Sequence, residues 1–293
     1  MKPPAFDYVD PKTLPEALEM LARFGEDAKI LAGGQTLAPL LNMRLASPAV
    51  LIDINGISAL DYRRAEEKCL AIGALTRESA LEDDPGLAAT QPMVALALPH
   101  IAHRAIRNRG TVGGSLAYAD PAAEWPALVT LLEAELVLES LGQKRVVRAE
   151  DFFITHLTTT LAPVEILSEI RLPAAPPGAG YAMLEFSRRH GDFALAGVMV
   201  RLWRDQAGRL ADPRLTLFGV GPRPVRARRA EAALAFESPR AGLFSEAAAI
   251  AATEIAPYSD LHASAEYRRH LAEVLARRAL DQASARIGGG RHE

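Results

Sequence analysis

Two short stretches decide the reading: Ala32-Gly33-Gly34-Gln35-Thr36 and Thr111-Val112-Gly113-Gly114-Ser115. Each joins a pair of glycines to a hydroxyl residue. Adjacent glycines accept positive φ and leave no Cβ in the path of an approaching ligand. Their backbone N–H groups can converge into a concave anion site, and the Thr36 and Ser115 hydroxyls add donors. A dinucleotide pyrophosphate, with its negative charges and many acceptor oxygens, suits two such loops without an arginine clamp. Glycine pairs also punctuate ordinary turns, so on the residues alone both readings stand. No G-x-G-x-x-G occurs, which argues against a doubly wound nucleotide site.

Outward from the first loop, Lys29-Ile30-Leu31-Ala32 reads as a strand, Leu37–Leu45 as a helix and Val50–Ile54 as a buried strand, an α/β unit. Upstream, Thr13-Leu14-Pro15-Glu16 is a capping box that opens a helix to about Phe24. Around the second loop, Cys69–Leu75 reads as a strand and Met93–His103 as a helix. Arg107-Asn108-Arg109-Gly110 leads into the loop. A helix over Pro121–Leu132 and strands over Glu135–Ser140, Arg145–Arg148 and Glu165–Leu172 follow. The Pro- and Gly-rich run Ala174–Gly180 marks a domain boundary. Beyond it come three strands (Tyr181–Ser187, Ala194–Trp203 and Arg214–Val220) and helices at about Val225–Phe236, Ser245–Glu254 and Ala263–Ala285. Gly288-Gly289-Gly290 starts a frayed tail.

The 293 residues suggest two domains, and 49% hydrophobic against 24% charged residues is enough to fill a core. A net charge of −3 gives no general attraction to nucleic acid or anionic membranes. No apolar stretch reaches the roughly 18–20 residues of a membrane span, and the N-terminus lacks a secretory apolar region. A cytoplasmic protein is expected. One cysteine, Cys69, excludes a disulfide framework within the chain and an iron–sulfur cluster held by four of its thiolates. Cys69 reads as a buried inert thiol. His100 and His103 read as caps of helix carbonyls rather than metal ligands. Arg223, Arg226, Arg228 and Arg229 read as a solvated or subunit-facing surface. Arg107 and Arg109 either steer a phosphate or pair with carboxylates.

Longer phrases carry a resemblance. Ile30–Leu37, Leu51–Asn55, Ile106–Ser115, Asp120–Pro126, Gly191–Ala194 and Ser264–Arg269, covering nearly the whole chain, resemble the FAD-binding medium subunit of the carbon monoxide dehydrogenase and xanthine dehydrogenase group. The resemblance implies an α+β chain. Residues 1–175 would form a PCMH-type, vanillyl-alcohol-oxidase-like FAD domain in two subdomains (about 1–56 and 57–175). Residues 176–293 would form a smaller α+β domain with a three-stranded antiparallel sheet and helices. It implies FAD contacts at Lys29, Leu31, Ala32, Gly33, Gly34, Gln35, Thr36, Thr111, Gly113, Gly114 and Ser115. It also implies Glu124 facing the flavin, Leu167 beside the ring system and Phe193 as an aromatic near the isoalloxazine. Tyr118, Glu185 and Phe193 depart from the family's common histidine, lysine and tyrosine. Glu185 stands where the family's lysine touches the cofactor.

The resemblance implies an electron-transfer subunit without a substrate base of its own. A large subunit would carry the molybdenum cofactor and a small subunit two [2Fe–2S] clusters, the whole forming a dimer of heterotrimers. FAD would pass electrons to a terminal acceptor. A stand-alone flavin oxidase of the same fold is the alternative.

Overall fold

The computed structural model describes residues 2–288, so the expected tail from Gly289 lies outside the described residues. Among these residues no helix is long and apolar enough to cross a membrane.

The first unit is a three-stranded parallel sheet in the order Asp7–Val9, Val50–Asp53, Ala28–Leu31. Helix Leu14–Phe24 covers it, entered as the capping box predicts: Thr13 Oγ1 accepts from Glu16 N at 3.4 Å. Leu18 and Leu21 of that helix meet Val50 and Ile52 in a small core. The first diglycine loop lies at the carboxyl end of the edge strand Ala28–Leu31. Helix Leu37–Asn42 leaves it, ending three residues before the expected Leu45.

The second unit is a five-stranded antiparallel sheet in the order Arg63–Ala65, Cys69–Gly73, Ile166–Pro173, Glu135–Ser140, Gln143–Arg148. Helices Val112–Tyr118 and Glu124–Leu132 pack beside it around Trp125, which is fully buried. The expected helix over Met93–His103 is shorter, Pro92–Ala97, and tightens into a 3₁₀ turn at Leu98–His100. Pro99 explains this, because it offers no N–H to continue the α-helical ladder.

The C-terminal unit holds three long antiparallel strands, Gly180–Phe186, Ala196–Arg204 and Leu210–Phe218. A fourth, two-residue strand, Val225–Arg226, extends the expected sheet at its edge. The following helix accordingly starts at Arg228 rather than Val225. One sheet face gives Tyr181, Met199 and Phe218 to the core around Trp125. The other packs against the 21-residue helix Ala265–Ala285 and helix Leu243–Thr253. Buried Arg268 ties the long helix to the sheet, donating to the carbonyls of Leu195 (2.7 Å) and Gly219 (3.0 Å) and pairing with Asp260 (2.7 Å).

The basic run is solvated at Arg223, Arg228 and Arg229, as expected, but it also makes contacts within the chain. Arg226 is buried between Glu231 (2.7 Å) and Glu133 (3.2 Å), and Arg228 reaches Glu150 at 2.6 Å. Arg223 donates to Phe153 O at 3.1 Å. These residues clamp the C-terminal sheet to the second unit. Cys69 is half-buried rather than buried, because it opens its strand beyond the residues that Arg63–Ala65 pairs with. Burial, and then Glu66 at 3.4 Å, push its thiol pKa up, so it remains a poor nucleophile.

Candidate functional site

The two diglycine loops meet. A Cβ built on Gly33 would lie 2.3 Å from Arg109 O and 3.0 Å from Gly110 Cα, and one on Gly114 would lie 3.8 Å from Ala32 Cβ. Only glycine at position 33 allows that approach. Ala32–Thr36 and the stretch from Arg109 to Gly114 therefore lie against each other where the first and second units meet.

Their amides are in different states. In the first loop, Gly34 takes φ +73°. The Gln35 side chain bonds back to Gly33 O at 3.1 Å, and Asn55 Nδ2 holds Ala32 O at 2.8 Å. Among the described residues, the amides of Gly33, Gly34, Gln35, Thr36 and Leu37 find no acceptor in the protein. All five residues are half-buried. Five successive free N–H groups suit an anion, because each donor left without a partner gains by meeting one.

The second loop is already satisfied. Val112 N donates to Thr76 O (3.2 Å), Gly113 N to Ala74 O (2.9 Å) and Ser115 N to Thr111 O (3.1 Å). Gly114 N donates to Thr111 Oγ1 at 3.2 Å, a helix N-cap. The expectation of two equivalent amide cradles is thus corrected. Non-local carbonyls at positions 74 and 76 take the donors that the local sequence promises to a ligand. This loop offers hydroxyls instead. Thr111 keeps its own proton to donate, and Ser115 Oγ has no partner among the described residues.

Below the loops lies a set of buried carboxyls. Glu124, 5% exposed, opens helix Glu124–Leu132. Burial, and then the charge of Glu185, push its pKa up to about 8. Glu78, 3% exposed, accepts from Trp125 Nε1 at 3.1 Å, and burial raises it to about 7 despite that bond and the charge of Arg107. Glu78 also braces the second loop: its amide donates to Gly110 O at 3.2 Å, and its Oε2 would lie 2.5 Å from any Cβ on Gly110. Glu185 contacts His100 Nδ1 at 3.2 Å through one oxygen, while its buried Oε2 has no partner. His100 therefore joins two units instead of capping a helix.

Lys29 is exposed on its strand, and Leu31 is half-buried at the strand's end. Leu167 sits in the main core at 4% exposure. A bulge between Leu167 and Glu169 turns Ser168 O to Ala74 N at 3.0 Å, tying that strand to the second loop. Phe193 is 59% exposed, which excludes a core role. Its loop rests on the approach to the second diglycine loop: Gly191, at φ +86°, leaves no room for a Cβ, which would lie 2.7 Å from His103 Cε1. Arg107 is structural, pairing with Glu82 at 2.7 Å and donating to Ile101 O at 2.8 Å. Sequence reasoning missed Glu78, Arg77 and the carbonyls of Ala74 and Thr76. Asn55 stood in a quoted phrase but carried no assigned role.

This architecture joins a domain with two adjoining diglycine loops to a separate C-terminal sheet unit. Residues 4–175 match the family described as FAD binding domain in molybdopterin dehydrogenase, and residues 181–283 match the CO dehydrogenase flavoprotein C-terminal domain. The chain belongs to this family, the FAD-binding medium subunits of molybdenum-dependent oxidoreductases. It is 39% identical over 283 residues to the 6-hydroxypseudooxynicotine dehydrogenase complex subunit alpha of Paenarthrobacter nicotinovorans, covering 97% of this chain and 96% of that one. It is 37% identical to the carbon monoxide dehydrogenase medium chain of Hydrogenophaga pseudoflava, covering 98% and 99%. A solved carbon monoxide dehydrogenase from that organism superposes with TM-score 0.95 at 40% identity, over 98% of this chain and all of that one. Quinoline 2-oxidoreductase from Pseudomonas putida 86 gives 0.93 at 36%, over 99% of this chain and all of its own.

Proposed function

We propose that the chain holds FAD non-covalently and relays electrons within a heterotrimer. The donors are two [2Fe–2S] clusters on a small subunit, and the recipient is a terminal acceptor. The organic substrate is oxidised at the molybdenum cofactor of a large subunit. The complex is a cytoplasmic dimer of heterotrimers. FAD, when bound, supplies the one- and two-electron redox chemistry.

The observation that carries the reading is the run of five free amides over Gly33–Leu37 facing a second loop at contact distance. The first loop donates N–H groups to the pyrophosphate, and Gly34 keeps side-chain bulk and charge out of that path. Thr36, Thr111 and Ser115 add hydroxyl donors from both walls. Gly113 and Gly114 let the second wall close in. Lys29, Leu31 and Gln35 flank the cofactor. Glu124 faces the ring as a neutral acid at physiological pH, since its pKa stands at about 8. That neutrality spares the ring a second negative charge when electrons arrive. Leu167 backs the ring from the core, and Phe193 covers it from the C-terminal unit.

The single-cysteine composition supports the division of labour, since this chain alone cannot ligate a four-thiolate cluster. The test is purification of the chain alone and with its co-purifying partners. The isolated chain is expected to be yellow, to release FAD on denaturation, and to reduce a dye from a strong reductant while oxidising no organic substrate. Turnover of an aldehyde, purine or N-heterocycle by the pure chain would favour a stand-alone oxidase instead. Colourless protein with no affinity for FAD would overturn the reading altogether.

A further inference from the structure

The two loops are joined by a side-chain bridge centred on Arg77. Its Nη1 donates to Arg109 O, just before the second loop. Its Nη2 donates to Asn55 Oδ1 at 2.5 Å, and Asn55 Nδ2 donates to Ala32 O at 2.8 Å. One guanidinium thus reaches the second loop's approach directly and the first loop through a single amide. Arg77 also pairs with Thr111 as an isolated antiparallel bridge, which fixes its backbone against that loop.

No carboxylate pairs directly with the cations at this junction, and Asp53 reaches it only through Asn55, whose Nδ2 also donates to Asp53 Oδ1 at 2.6 Å. Both of Arg77's acceptors are neutral. Among the described residues no carboxylate oxygen lies within 4.0 Å of Arg77 or Arg109, whereas Arg104 and Arg107 on the neighbouring helix are both paired. Asp61 and Asp53 act on Arg77 only from beyond that distance. Burial, and after it the charge of Arg109, hold Arg77's pKa below its ordinary value. A guanidinium stays charged all the same. Two cations that repel each other, neither in a direct ion pair and one of them half-buried, lie near the five free amides. An anion relieves all of these at once.

We propose that Arg77 is a FAD-binding residue: its guanidinium, braced by Asn55, is the counter-charge for the pyrophosphate held between the loops, with exposed Arg109 as a second cation. The proposal rests on the reading that the loops hold that pyrophosphate. Arg77 commits two of its five N–H donors to the bridge, which leaves others for phosphate oxygens. The bridge also sets the loop spacing, so that the phosphate meets both walls without a rearrangement.

The experiment titrates FAD into the full-length chain stripped of flavin, at low and at high ionic strength. Arg77→Met is expected to weaken FAD on the order of 10- to 100-fold at low salt, the scale of charge-assisted hydrogen bonds. It should also flatten the salt dependence of binding, because one cation is gone. Arg77→Lys keeps the charge and should keep the wild-type salt slope. Where Arg77→Met does not fold, Arg77→Gln carries the same test, since it retains a donor without the charge. An unchanged affinity, or a weakened affinity with the wild-type salt slope, would overturn the proposal, the latter reducing Arg77 to a strap. Gly34→Asp is titrated alongside. If it binds FAD normally, the loop reading itself fails. If it loses FAD while Arg77→Met binds as wild type, only the role of Arg77 fails.

Discussion

In Ala32–Thr36, Gly34 is needed for its φ of +73° and Gly33 for its approach to Arg109 O, where a Cβ would sit 2.3 Å away. In Thr111–Ser115, positive φ plays no part. Gly113 is glycine because a Cβ there would lie 2.5 Å from Ala74 Cβ and 2.8 Å from Ala74 O, and Gly114 because one would lie 2.7 Å from Thr111 Oγ1. The first loop leaves its amides free, and the second spends them on Ala74, Thr76 and Thr111. Two strings that share a glycine pair and a closing hydroxyl residue therefore serve different ends. One is shaped for a ligand, and the other is packed as a wall with hydroxyls on it. A glycine pair gains its meaning from what its neighbours do with the N–H groups.

The comparison breaks most visibly at Gly34→Asp. That change puts a negative charge beside the free amides and asks a side chain to adopt positive φ. The expected result is colourless protein with a stability loss of only about 1–3 kcal/mol. A full FAD complement in that variant would remove the first loop from the site.

Glu78, which braces the second loop, gives the next effect. Its folded pKa stands near 7 against an ordinary 4.5. The folded chain therefore keeps this proton while the unfolded chain loses it. Stability falls as pH rises from about 4.5 to about 7 and is flat above, by a few kcal/mol at roughly 1.4 per pKa unit. Glu78→Gln should remove that part of the slope in denaturant titrations run across this pH range. An identical slope in the variant would show that Glu78 is ionised and its burial compensated.

Gly113→Ala sharpens the contrast from the other side. Its Cβ meets backbone that must shift, so overpacking should cost about 1–3 kcal/mol, read as a lower urea midpoint. FAD affinity in the folded fraction should change little. Lost affinity at unchanged stability would make the second loop a binding loop like the first.

Phe193→Ala is the smallest in stability. At 59% exposure its truncation should cost within about 0.5 kcal/mol. It should still alter flavin fluorescence and reactivity with the acceptor. Wild-type spectra and reactivity would leave Phe193 with no part in covering the ring.

Much of this was legible from local pattern. The capping box at Thr13, the strand–loop–helix–strand order around Gly33–Gly34 and the three long C-terminal strands all follow periodicity and turn chemistry that act over a few residues. The differing fates of the two loops were not legible. Ala74 and Thr76 stand more than thirty residues before the amides they satisfy, and nothing in Ala-Gly-Gly-Gln-Thr against Thr-Val-Gly-Gly-Ser reveals them. Arg77 was hidden for the same reason. Its partners, Asn55 and Arg109, lie 22 and 32 residues away and meet it only when the first two units close on each other. In the basic run, Arg223, Arg228 and Arg229 are exposed as their charge suggests, but sequence does not show the Glu133 and Glu231 carboxylates that bury Arg226 or the Glu150 carboxylate that meets Arg228.

Amide hydrogen exchange, resolved to single residues in the FAD-free and FAD-loaded chain, tests the contrast most directly. The amides of Val112, Gly113, Gly114 and Ser115 should be protected in both states, because protein acceptors already hold them. Those of Gly33 to Leu37 should exchange freely without FAD and gain protection when it binds. Protection gained equally at both loops, or gained at Val112–Ser115 and not at Gly33–Leu37, would contradict the division between a binding loop and a packed wall.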